Sequence, residues 1–281
     1  MDLVKKHIVK PGTSIKLASI GTEPDGPFEG KDEAREYCEE IIEKLREVQY
    51  RLFVEGKQSL LIVLQAPDAA GKDGLIRKMI GRMNPQGVRT YPFKVPTPLE
   101  KSHDFLWRVH RCAPATGMIS VFNRSHYEDV LAVRVEKLAP KTVWSKRFEM
   151  INHFENLLVA NGTRILKFYL HISPEEQLER FKERLDRPEK HWKLNVGDYE
   201  ARDKRPAYLE AYQDVFKECS PKHAPWFIIP ADKKWYRDAA VGHIIYETMK
   251  DMNPELPPVD VDLEEIRRLY EREKAGSESS R

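Results

Sequence analysis

A lysine closing a small-residue loop and a carboxylate inside the same loop are the groups in this chain whose types and spacing best suit chemistry. The run Ala66, Pro67, Asp68, Ala69, Ala70, Gly71, Lys72, Asp73, Gly74 follows directly on the apolar segment Leu60 to Gln65. Small residues let successive backbone N–H groups turn onto an anion. The following helix aims its positive end at the same point, within reach of Lys72. A carboxylate beside bound phosphate is costly unless a metal or a proton in transfer accompanies it. Asp68 is therefore a candidate metal ligand or general base.

The spacing departs from the common phosphate-loop pattern in two places. Ala66 stands where the first glycine is usual, and Asp73 replaces the Ser or Thr that normally touches magnesium. An ordinary turn between a buried strand and a helix is the competing reading, but strand, turn, lysine and helix in this order favour a phosphate site. A second polar cluster, Asn123, Arg124, Ser125, His126, Tyr127, Glu128, Asp129, follows the apolar stretch Ile119 to Phe122. Arg124 can pair bidentately with phosphate, and Glu128 and Asp129 carry hard oxygens suited to magnesium. Asn123 and Ser125 also fit simple helix caps. In a third segment, Arg180, Arg184 and Arg187 recur at spacings of four and three until Pro188 interrupts, with Lys190 and Lys193 beyond. That is either a lid carrying positive charge or a surface helix neutralised by Glu179, Glu183 and Glu189.

The elements that must position these groups read as alternating strands and helices. Strands are expected at residues 60–65, 88–93, 117–122, 163–172 and 226–230. Helices are expected at residues 31–54, from 75 until Asn84–Pro85, and at 99–111, 141–160, 173–185, 198–216 and 233–249. Regular alternation implies an α/β fold with a mainly parallel sheet covered on both faces, its ligand crevice at the carboxyl ends of the strands. Residues 1–30 read as an arm over the surface, 31–255 as the main domain with a lid at about 180–200, and 256–281 as a charged helix with an unstructured tail from Ala275.

Composition narrows the class. Formal net charge is only +2 over 281 residues, yet between Lys72 and Arg134 eleven Lys or Arg face five acids, which gathers positive charge around the loop. Cys38, Cys112 and Cys219 form no paired motif, so neither a disulfide framework nor a zinc site is expected, and a reducing cytoplasm fits. No apolar run reaches membrane-spanning length. His103, His110 and His126 have no metal-ligand spacing, and the five tryptophans read as packing residues. A nucleic-acid-binding reading of the basic stretch ranks last, since no recognised module or stacking set accompanies it.

With these segments, and with Ala224 to Lys234 added, the chain resembles the polyphosphate kinase 2 family over most of residues 30–250. The resemblance implies a P-loop kinase fold like that of thymidylate kinase: three α/β/α layers, a five-stranded parallel sheet and a helical lid. It implies transfer of phosphoryl groups from inorganic polyphosphate to nucleoside mono- and diphosphates, with magnesium, or manganese in its place. Carried over, it assigns Lys72 and the backbone of residues 69–74 to phosphates, and Asp68 to the metal or catalysis. Arg124 and the lid residues Arg180, Arg184, Arg187, Lys190 and Lys193 go to the transferring group. Many relatives have Asp where this chain has Asn123, so metal binding is expected to lean on Asp68, Asp129 and Glu128. The Asn version resembles the subgroup that accepts both AMP and ADP. A polyphosphate channel is expected among Arg77, Lys78, Arg82, Lys94, Arg108, Arg111 and Arg134. A homo-oligomer is also implied, with a tetramer as one form. An ATP-dependent nucleotide or nucleoside kinase on the same fold is the alternative.

Overall fold

The apolar run at the heart of the sequence forms β1 (Ser59–Gln65), and all seven of its residues are buried. A strand apolar on both faces must be covered on both faces, which places it centrally. The computed structural model describes residues 2–279, and in it β1 pairs in parallel with β3 (Ile119–Asn123) on one side and β4 (Thr163–His171) on the other. β2 (Val88–Pro92) and β5 (Trp226–Pro230) complete a five-stranded parallel sheet of order β2-β3-β1-β4-β5. The order reverses around β1, so the crevice at its carboxyl end is the expected ligand site.

Helices cover both faces. On one lies α1 (Lys31–Glu55), which Gly56 ends in a left-handed turn at φ +65°. The other face carries α2 (Arg147–Ala160). The sequence after β4 supplies α3 (Pro174–Leu185), α4 (Val196–Asp203) and α5 (Arg205–Glu218). Helix α6 (Lys234–Met252) packs beside α1, and Ile41, Leu45, Val241, Ile244 and Ile245 share one core. Phe154, Leu158, Tyr212, Val215 and Phe216 build the other against Tyr169 and Trp226. Gly242 lets α6 approach closely: a Cβ there would meet Met79 Cε at 2.3 Å.

The structure departs from the sequence reading at several boundaries. The helix after the phosphate loop is short, Lys72–Leu75, and passes into a single π turn at Ile76–Ile80. The expected helix at 99–111 is two short turns, Pro98–Lys101 and Trp107–His110, because the Asp104 side chain accepts the Leu106 N–H and starts a new turn. The helix expected at 198–216 breaks at Lys204, just before Arg205 and Pro206, where the proline ring disfavours continuation. The arm is more than a surface strap. Leu3, Val9 and Leu17 are buried, and Ile8 bridges Phe227, so the arm covers the free edge of β5. The tail read as unstructured is helical to Ser279 in α7 (Leu263–Ser279), where Glu264 and Glu265 in the first turn favour the helix; Ser280 and Arg281 lie outside the described residues.

Candidate active site

The loop after β1 owes its shape to two arginines outside it. Arg180 donates through Nη1 to the Ala69 and Ala70 carbonyls, both at 3.0 Å, and Arg237 donates to the Ala70 carbonyl at 3.0 Å. A trans peptide sets N–H opposite C=O, so anchoring the Ala70 carbonyl on this side turns the Gly71 N–H toward the opposite side. Ala69 (φ +62°) and Gly71 (φ +97°) adopt left-handed backbone, and a Cβ on Gly71 would sit 2.0 Å from Arg237. Lys72 is nearly buried and donates to the Ala66 carbonyl at 3.0 Å. Burial pulls its pKa down, with Asp68 opposing.

Two cavities open on this loop. The larger, about 620 Å³, is lined by Gly71, Lys72, Asp73 and Gly74 of the loop, by Arg184, Lys190 and Lys193, and by Arg77, Lys94 and Lys234. Ten Lys or Arg against three carboxylates line it, so it is built for a polyanion. The smaller, about 260 Å³, is lined by Ala132, Tyr208, Leu209 and Tyr212 together with Arg202 and Arg205, and Asp68, Glu128 and Asp198 also border it. Asp68 and Arg124 line both. They are joined by a 3.0 Å ion pair, and Arg124 holds a left-handed φ of +60°, strain retained where the two spaces meet. A second link is Arg184 on the larger cavity, paired at 2.8 Å with Asp198 on the smaller.

The sequence-derived residues divide sharply. Asp68, Ala69, Gly71, Lys72, Asp73, Gly74, Asn123, Arg124, Arg184, Lys190, Lys193, Arg77 and Lys94 line the basic cavity, and Glu128 lines the smaller one. Arg180 reaches the basic cavity wall, but its role there is corrected. Its five N–H donors are spent on Glu176 and the carbonyls of Ala69, Ala70, Ala231 and Asp232, leaving none for phosphate. Ala70 is fully buried. Arg187 turns to Glu183 and Glu189 and lines neither cavity.

Five channel residues are likewise elsewhere. Lys78 pairs with Asp238, Arg82 with Glu39, and Arg134 with Glu210 and Asp214 beside Trp144. Buried Arg108 donates to the Lys94 carbonyl, and Arg111 lies over Trp107. Each is drawn off by a local partner. Asp129 also lines neither cavity: Arg147 holds it at 3.0 Å, and burial pushes its pKa up to about 6 against the pull of that arginine.

The model of the polyphosphate kinase 2 family matches residues 29–257. The chain belongs to the polyphosphate kinase 2 family. It is 46% identical over 264 residues to an AMP/ADP-polyphosphate phosphotransferase of Meiothermus ruber, covering 94% of this chain and 99% of that one. An ADP-polyphosphate phosphotransferase of Rhodopseudomonas palustris is 40% identical over 265 residues, covering 90% and 92%. The crystal structure of polyphosphate kinase 2 from Arthrobacter aurescens superposes with a TM-score of 0.93 at 39% identity and 97% coverage of both chains.

The two cavities also carry groups that sequence reasoning missed. Arg237, Lys234, Gln177, Arg202 and Arg205 border the two cavities, yet they lie in helices and loops whose periodicity says nothing of what they face. Beneath the turn His126–Asp129, Lys167 donates to the Tyr127 hydroxyl at 2.9 Å, to Glu155 at 2.5 Å and to the Cys219 carbonyl at 2.8 Å, all fully out of solvent. Burial opposes the charge on Glu155, but Lys167 and His126 outweigh it and hold its pKa below the usual range. A lysine in the middle of the apolar run Ile165 to Leu170 was the available signal.

Proposed function

We propose that this enzyme moves the terminal phosphoryl group of inorganic polyphosphate onto AMP and onto ADP, in a reversible reaction that needs magnesium, with manganese able to replace it. The observation that carries the reading is that a cavity lined by ten Lys or Arg meets an aromatic-walled cavity at one ion pair, Asp68–Arg124. Polyphosphate lies in the first. The nucleotide lies in the second, its base against Tyr208, Leu209 and Tyr212 and its phosphates toward Arg202 and Arg205.

A terminal oxygen of the nucleotide phosphate bonds to the end phosphorus of polyphosphate as the bridging P–O bond breaks. The electron pair leaves with a polyphosphate one unit shorter, and no protein phosphorylation intervenes. Lys72 and the loop amides hold the donor, and Arg124 and Arg184 offset charge on the transferring group. Asp68 aligns the acceptor. Among the described residues no three His, Cys, Asp or Glu form a metal cluster. Magnesium commonly takes one or two carboxylates and completes its shell with substrate phosphates and water, so Asp68, with Glu128 or Asp73 nearby, fits that pattern. Bound there, the ion would neutralise charge on the phosphates.

Acceptance of both AMP and ADP is supported by the M. ruber relative and by Asn123, which donates to Asp73 at 2.8 Å at the loop. A cytoplasmic location fits three unpaired cysteines, and among the described residues no helix is long and apolar enough to cross a membrane. Assembly of a homo-oligomer is supported by the exposed apolar residues Leu263, Ile266 and Tyr270 of α7. Chromatography of ADP and ATP formed from AMP or ADP with polyphosphate and magnesium, without added ATP, tests the reading. Product from both acceptors is expected. Product from ADP alone would remove the AMP assignment, and product only with ATP as donor would replace polyphosphate.

A further inference from the structure

Gln177 lies near the start of α3, 3% exposed, with its amide between the phosphate loop and the smaller cavity. Its Nε2 donates to the Asp68 carbonyl at 2.9 Å. Its Oε1 accepts from Arg202 at 3.3 Å and Arg205 at 3.4 Å. The orientation of the amide is forced, because a carbonyl can only accept and a guanidinium can only donate. Both arginines are also tied to the backbone where α3 begins, Arg202 to the carbonyl of Pro174, the first residue of α3, and Arg205 to the carbonyl of Ile172, just after β4. The carbonyl that Gln177 holds belongs to the peptide leading into Ala69, whose left-handed backbone needs an external restraint.

We propose that Gln177 is a positioning residue: its amide holds the Asp68 loop in register with the two arginines that bind the acceptor nucleotide. This rests on reading the smaller cavity as the acceptor site. The amide acts through its neighbours at both ends, so the ends can be separated by substitution. Gln177→Glu keeps an acceptor for the arginines but replaces the donor to the Asp68 carbonyl with a repelling oxygen. Gln177→Leu removes both bonds.

Initial rates are measured on the magnesium-loaded full chain with polyphosphate and ADP varied separately, and melting curves confirm the fold. For Gln177→Glu the expected result is a kcat lower by about 10-fold or more, since small misplacement of reacting groups is costly, with the ADP KM within about twofold of the parent. Gln177→Leu should lose kcat similarly and also raise the ADP KM by about fivefold or more, the value of a lost pair of charge-assisted bonds. Neither should move the polyphosphate KM. Should the Leu variant not fold, Gln177→Met serves the same comparison. Parent-like kcat in both, or equal losses in both with no difference in ADP KM, overturns the proposal. A raised polyphosphate KM with unchanged ADP KM would overturn the cavity assignment instead, and the proposal with it.

Discussion

Asp68 and Lys72 touch the substrates in this account without carrying the fold. Asp68→Asn and Lys72→Met are therefore expected to lower kcat by about 10² or more while leaving the melting temperature within a few degrees. Transfer assays beside thermal melts check this; a well-folded variant with full activity would remove the residue from its role. Arg180 and Arg184 offer the sharper contrast, four positions apart on one helix. Arg180→Gln strips bonds from four backbone carbonyls, so its main cost is stability, about 3 kcal/mol or more. Arg184→Gln loses an Asp198 pair at the rim between cavities, so its main cost is kcat/KM. Denaturant titration and steady-state rates on both variants separate the two. Helical spacing made the pair look alike, since periodicity reports which residues share a face and says nothing of what approaches it.

At the level of elements, strand β4 and helix α2 are locked by the buried Lys167–Glu155 pair, and both partners also bond the Tyr127 hydroxyl of the turn after β3. Removing one partner leaves a buried charge, so Lys167→Met should cost about 3–5 kcal/mol, and Lys167→Met with Glu155→Leu should recover most of it. Equal losses in single and double variants, read from chemical denaturation, would contradict the pairing. The arm is governed by His7, whose ring nitrogen meets the Tyr236 hydroxyl at 2.9 Å. Burial first, with Lys6 adding, lowers its pKa from 6.5 to about 4, so folding favours the neutral ring. Its contribution is full above pH 6.5 and is lost as pH falls through about 4. Asp129 works oppositely, its raised pKa costing stability as pH rises toward about 6. The difference in melting temperature between the parent and His7→Gln should thus shrink as pH falls from 6.5 to 4; a constant difference would contradict the role of His7.

Across the whole molecule, β1, β3, β4 and β5 were legible because each is a largely apolar run buried on both faces, whereas the edge strand β2, Val88–Pro92, is half exposed and was legible only from its place after the Asn84–Pro85 stop. The phosphate loop was legible because its chemistry is local. The basic channel was not. Arg134 lies in the basic stretch of sequence, yet its partners Glu210 and Asp214 come from α5, 76 and 80 positions away, and only folding brings them together. The same holds in reverse for Lys234 and Arg237, distant in sequence and adjacent to the loop in space. The division into a polyanion cavity and a nucleotide cavity meeting at Asp68–Arg124 is the claim on which the rest depends. Initial velocities with polyphosphate varied at several fixed ADP concentrations test it most directly. Both cavities filled at once predicts double-reciprocal lines that intersect; parallel lines, the signature of one site used in turn through a phosphorylated enzyme, would contradict it.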